Sequence, residues 1–143
     1  MVERGRGCII NIITGVGMAA IPYGGPYLLS KGAVALLTEY MAAEAGPHGV
    51  RAFAVGPGAV RTEMARYLVE SPEGRRYLAW FHDHLEQQGR PPEDAARLCL
   101  AVALGRADAL SGRVVSVADD LVELTVQAEE IRQQERRVLR MQT

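Results

Sequence analysis

Tyr27 and Lys31 stand four residues apart directly after Pro26, a spacing that sets both side chains on one face at the start of a helix. A phenol has an ordinary pKa of about 10 and exchanges protons poorly at neutral pH. A neighbouring ammonium favours the phenolate and brings the group into working range. Thr14 closes an apolar run, and its hydroxyl could hydrogen-bond a substrate carbonyl beside the tyrosine. A donor from Thr14 and a proton from Tyr27, aimed at one oxygen, would stabilise the alkoxide of a hydride transfer. Any two residues at this spacing can be no more than a surface pair, so the rest of the pattern must decide. One fact singles the pair out: fifteen of the sixteen basic residues are Arg, and Lys31 is the only Lys.

The elements that must position these groups follow from periodicity. Residues 7–13, GCIINII, form a short β-branched run that is apolar on both faces, as in a strand inside a parallel sheet. A loop rich in Gly and Pro follows over 15–26, and Pro26 suits a first helical turn. Apolar residues at 29, 33, 36, 37, 40 and 41 predict a helix over 27–45, stopped by Gly46-Pro47. Residues 50–55 read as a second strand ending in Gly56-Pro57-Gly58, and the polar stretch 62–89 as helix in pieces with a break at Pro72. Pro91-Pro92-Glu93-Asp94 opens a helix over 95–104, its acidic residues matching the dipole. A third strand is expected over 113–118. From Asp119 the tail is helix-like, with Leu121, Leu124, Ala128, Ile131 and Val138 on a common spacing, packing on the sheet or on a partner subunit. Strand, helix, strand, helices, strand is the rhythm of a parallel α/β sheet.

Composition bounds the reading. With 143 residues, 48% of them hydrophobic and 23% charged, the chain has room for one ordinary domain with a real core. No apolar run is long enough to span a bilayer, and MVERGRG is no secretory signal. A net charge of −1 provides no global field for nucleic acid or an anionic membrane. Cys8 and Cys99, far apart in apolar contexts, read as reduced core residues of a cytoplasmic protein. His82-Asp83-His84 reads as solvated surface, because residues two apart on a helix diverge, and no metal site is expected. Asp119-Asp120 reads as helix capping.

The run GCIINIIT, the glycine-containing loop, Tyr27-Leu28-Leu29-Ser30-Lys31 and the later Gly56-Pro57-Gly58-Ala59-Val60-Arg61-Thr62 resemble, in order and spacing, the short-chain dehydrogenase/reductase family. Gly89-Arg90-Pro91-Pro92-Glu93-Asp94 and Leu110-Ser111-Gly112-Arg113-Val114-Val115 extend the resemblance over 5–118. Thr14 stands where the family has a serine thirteen residues before the tyrosine. Ile13 replaces another serine, Gly56 replaces an asparagine, and Asp119-Asp120 replaces an Asp-Gly-Gly.

The resemblance implies the carboxyl-terminal half of a Rossmann-like doubly wound parallel sheet, with three strands and flanking helices. It makes residues 1–118 the catalytic half and 119–143 a helical extension. It also implies an NAD(P)-dependent oxidoreductase acting on a small carbonyl or alcohol substrate. Tyr27 would be the general acid/base, Lys31 would aid it and bond the nicotinamide ribose, and Thr14 would orient the substrate oxygen. Backbone from Pro57 through Gly58 to Val60, with Thr62, would seat the nicotinamide of NAD or NADP. Segment 63–88 would bind substrate, and its Tyr67, Tyr77, Trp80 and Phe81 either line an apolar pocket or pack the segment down.

Gly15-Val16-Gly17-Met18-Ala19-Ala20 fits a dinucleotide fingerprint, but Pro22, Gly24, Gly25 and Pro26 deny it the helix it needs. The family's own glycine-rich loop and a catalytic asparagine precede the elements found here, so the chain is expected to be truncated and inactive alone. An unpaired edge beside the first strand and an exposed helix 27–45 predict a homo-oligomer through that helix. The other reading is a non-catalytic remnant serving as a subunit-interaction module.

Overall fold

The computed structural model describes residues 1–14 and 20–140. Three parallel strands, β1 (Gly7–Ile12), β2 (Val50–Gly56) and β3 (Val114–Ser116), lie in that order across one sheet. Gly7 pairs with Val50 and Ile12 with Val55, while Val55 pairs with Val115, so the carboxyl ends of the strands share one edge. β2 is central and buried along almost its whole length, which is why its sequence is apolar on both faces.

Alternation along the strands sorts the side chains. Phe53, Val55 and Val115 face one side, where they meet Val102, Leu110, Leu124, Ala128 and Ile131. Ile13 and Ala54 face the other side and meet Ala35 of α1 (Gly25–Ala45). Small residues on β2, Ala52 and Ala54, leave α1 room to lie on that face. Pro26 occupies the first turn of α1 as expected, and the helix ends at Gly46-Pro47. Gly49 then turns the chain into β2 at φ 74°; a Cβ there would meet the Gly5 carbonyl oxygen at 2.2 Å.

The stretch between β2 and α5 breaks twice, into α2 (Glu63–Glu70), α3 (Pro72–Tyr77) and α4 (Trp80–Gln88). Thr62 caps α2 by accepting from the Ala65 amide at 3.2 Å, and Ser71 caps α3 through Gly74 at 3.1 Å. The helix α5 (Pro92–Ala103) carries Glu93 and Asp94 in its first turn. Cys8 and Cys99 pack at the margin of the larger core, and burial pushes both thiols up.

Two expectations about the carboxyl-terminal part need correction. The third strand is shorter than 113–118, because the Ser116 amide donates to the Asp119 carboxylate at 2.7 Å and the chain turns there. The tail is not one helical stripe. It forms α6 (Leu121–Val126), capped by Asp120, then α7 (Ala128–Gln133), with Gln127 between them at φ −84°, ψ 3°. Beyond α7, Glu135 and Arg137 take left-handed conformations, and the Val114 amide donates to the Arg137 carbonyl at 3.0 Å. That bond draws the chain along β3, so Val138 leaves the helical spacing. The tail packs on the sheet of its own chain, with Ile131 fully buried beside Phe53.

Candidate active site

The first turn of α1 and the carboxyl end of β1 meet through Lys31. Its Nζ donates to the Ile12 carbonyl oxygen at 3.0 Å and lies 5.9 Å from the centroid of the Tyr27 ring. The ammonium is thus held between the tyrosine one turn earlier and the end of the strand. Thr14 follows Ile12 by two residues and is half-buried, while Tyr27 is 47% exposed and opens to solvent.

The register places the second group of expected residues on the same edge. Ile12 pairs with Val55, and Pro57 and Gly58 follow Val55 just as Thr14 follows Ile12. Gly58 has φ 74° and is exposed, so the backbone here is open to a ligand. Val60 forms a parallel bridge with Arg90, which fixes the loop before Thr62. The hydroxyl oxygen of Thr62 accepts the α2 cap and leaves its own hydrogen free to donate. The crevice outside the carboxyl ends of parallel strands is the general ligand position of open α/β sheets.

The aromatic residues of 63–88 do not converge. Tyr67 is exposed on α2, whereas Trp80, Phe81 and His84 cluster on α4, with the Trp80 and Phe81 rings 5.7 Å apart. Tyr77 turns the other way and stacks on Tyr23, ring centroids 4.8 Å apart. Tyr23 lies four residues before Tyr27 and holds φ 64°, unusual for a residue with a side chain. Periodicity carries no signal for this contact, since Tyr23 lies in a turn and Tyr77 closes the short helix α3.

Two clefts lie elsewhere. One of about 400 Å³ runs between α2, α3 and α4 beside Leu68, Leu78 and His82; another of about 310 Å³ lies between α5 and α6 beside Arg97 and Leu121. Neither includes Tyr27 or Lys31. Of the stretch 15–20, rejected on sequence grounds as a dinucleotide fingerprint, residues 15–19 lie outside the described residues. Among the described residues, no group of three His, Cys, Asp or Glu side chains is placed to hold a metal ion, and no helix is long and apolar enough to cross a membrane.

A three-stranded parallel sheet flanked by helices, with a tyrosine and a lysine on one helical turn at its carboxyl edge, defines a Rossmann-type α/β protein. The family model described as enoyl-(acyl carrier protein) reductase matches residues 1–119, and the chain belongs to the short-chain dehydrogenase/reductase family. It is 34% identical to carbonyl reductase [NADPH] 2 of Sus scrofa over 82% of this chain and 48% of that protein. It is 41% identical to 2,5-dichloro-2,5-cyclohexadiene-1,4-diol dehydrogenase of Sphingobium indicum over 57% of this chain and 34% of that protein. A gluconate 5-dehydrogenase from Burkholderia cenocepacia, solved in complex with NADP and tartrate, superposes with a TM-score of 0.67 at 27% identity. That match covers 85% of this chain and 47% of that one. The chain therefore spans half or less of the length of these relatives.

Proposed function

We propose that residues 1–118 carry the catalytic half of an NAD(P)-dependent oxidoreductase acting on a small alcohol or carbonyl compound, with 119–143 as a carboxyl-terminal extension. The supporting observation is the Lys31 ammonium, which bonds the Ile12 carbonyl at 3.0 Å while lying one helical turn from Tyr27. The donor set fits a nicotinamide nucleotide. Lys31 keeps N–H groups beyond the one it gives Ile12, and the backbone of Pro57, Gly58 and Val60, with the Thr62 hydroxyl, follows β2 at the same carboxyl edge of the sheet. The nucleotide, when bound, supplies or accepts the hydride.

The protein's own residues handle the oxygen. In the reducing direction the Thr14 hydroxyl donates to the substrate carbonyl and holds it toward Tyr27. As negative charge grows on that oxygen, the Tyr27 phenol gives up its proton, and solvent restores it afterwards. Lys31 keeps positive charge beside the phenolate that is left behind. The reverse direction runs the same proton into Tyr27.

Tyr27→Phe removes the proton and little else. In an enzyme completed by the upstream half that the resemblance implies, hydride transfer, followed by NADPH absorbance with cyclohexanone as the probe ketone, should fall by about 10²- to 10⁴-fold with unchanged thermal stability. Persisting turnover would remove Tyr27 from the reaction.

The exposed side of α1 supports an oligomer. Leu29, Leu36, Leu37 and Tyr40 point away from the sheet, so the stripe that announced the helix is not the face it buries. A second copy laid on this stripe would cover it; the same surface favours the alternative role as an interaction module. A cytoplasmic location fits the two free thiols.

A further inference from the structure

We propose that the end of the tail, residues 137–140, is a strap that holds α1 against β1, and that Leu139 is a positioning residue for Lys31 and Thr14. The inference rests on the roles proposed above for those two residues.

Three contacts build the strap. Arg137 fastens it to the edge of β3: its guanidinium pairs with both Asp119 oxygens at 2.7 and 2.8 Å and donates to the Val114 carbonyl at 3.1 Å. Arg140 fastens the other end to the middle of α1, pairing with both oxygens of Glu39 at 2.6 and 3.0 Å while Glu135 accepts from it at 2.9 and 3.1 Å. Between these ties, Leu139 joins the small cluster of Ile13, Ala35 and Ala54.

The neighbours of Leu139 give the strap its bearing on the site. Ile13 is the residue before Thr14. Gly32 is the residue after Lys31, and a Cβ built on it would lie 3.8 Å from the Leu139 methyl. Ala35 is one turn past Lys31 on the same helical face. Leu139 thus packs behind the junction whose front is the Lys31–Ile12 hydrogen bond. Among the described residues, three buried side chains make up the cluster on this face, and Leu139 is one of three further apolar side chains, with Val34 and Val114, that pack against it and fix the helix. Without it, α1 can lift from β1, and the ammonium and the hydroxyl lose their common geometry.

Because Lys31 is the only lysine, labelling with 13Cε-lysine yields a single side-chain resonance that reports its surroundings without any turnover. The full chain carrying Leu139→Ala should show that resonance displaced toward the position of a free lysine side chain, and Leu139→Met should restore it. Arg140→Ala, a surface change, should displace it in the same direction and guards against a Leu139→Ala chain that does not fold. In an enzyme completed by the upstream half that the resemblance implies, kcat with cyclohexanone and NADPH should fall about 10- to 100-fold for Leu139→Ala, as a misplacement near 1 Å would produce, and KM for the nucleotide should rise with it because Lys31 is assigned to its ribose. A resonance superimposable on the parent in both folded variants overturns the strap. Turnover surviving Tyr27→Phe would sink the catalytic reading while leaving this measurement intact.

Discussion

The two faces of the sheet are finished to different degrees. On one, Phe53, Val55 and Val115 are covered by α5, α6 and α7 in a continuous core whose largest members are fully buried. On the other, a single helix, α1, rests through Ala35 on Ile13 and Ala54, helped by Val34, Val114 and Leu139 and by polar ties. The proposed site lies on the second face. A residue that must reach solvent, ligand and proton cannot also be packed in, so the site side trades area for specific bonds: Lys31 to Ile12, Asn11 to Thr38 at 2.9 Å, and Arg140 to Glu39. The finished face supplies the rigidity that those few bonds need.

That contrast can be broken by cutting each face in turn. Phe53→Ala, on the finished face, should cost about 3–5 kcal/mol by guanidinium unfolding, the usual range for an aromatic lost from a closed core. A cost near that of a surface substitution would mean that the face is not the main store of stability. On the site face, Thr38→Val takes away the fully buried hydroxyl that accepts from Asn11 and donates to the Val34 carbonyl at 2.7 Å. The Asn11 amide then loses its oxygen partner, and the expected loss is about 1–3 kcal/mol in the same titration. Asp120→Ala removes the cap that accepts from the Val122 and Glu123 amides at 2.9 and 3.1 Å. It should cost about 1 kcal/mol and fray the helices that seal the finished face, read by hydrogen exchange in α6.

The smallest effect concerns acid. Hydrogen bonding and charge from Arg140, with a further contribution from Arg113, hold the Glu39 carboxyl below the ordinary carboxylate range against its partial burial and the repulsion of Glu135. A carboxyl whose folded pKa is lowered adds stability above its unfolded pKa, and that stability disappears as pH falls through the folded value. The difference in stability between the parent chain and Arg140→Ala should therefore be present at neutral pH and shrink on acidification. A gap that stays constant from neutral pH down to strongly acidic conditions would show that the carboxylate pairing contributes nothing.

Much of the fold was legible because its signals are local. The β-branched run before Thr14, the Pro26 start and Gly46-Pro47 stop of α1, and the acidic first turn of α5 each act within a few residues. The Tyr27–Lys31 pairing was legible for the same reason, since one helical turn fixes it. The stripe at 29, 33, 36, 37 and 40 correctly announced a helix but not its orientation, because hydrophobic spacing cannot say whether the sheet or another surface receives it. The face turned to the sheet instead uses Ala35, Thr38 and other small or polar residues that let the helix come close. The tail misled through its spacing: Val138 continues an apolar rhythm that the chain abandons beyond α7, where bonding of the Arg137 carbonyl to the edge of β3 replaces helical continuity.

The amino-acid sequence by itself determined the parallel α/β order, the limits of the long helix, and the tyrosine and lysine on one turn, since each depends on neighbours within reach of a few peptide units. Tertiary structure alone decided that Lys31 reaches the Ile12 carbonyl, that Tyr23 stacks on Tyr77, and that Leu139 and Arg140 return from the far end of the chain to α1. Of those contacts, the pairing of Arg140 with Glu39 alone joins residues 101 positions apart. No local propensity encodes such a meeting; it exists only once the sheet has set both partners on the same side.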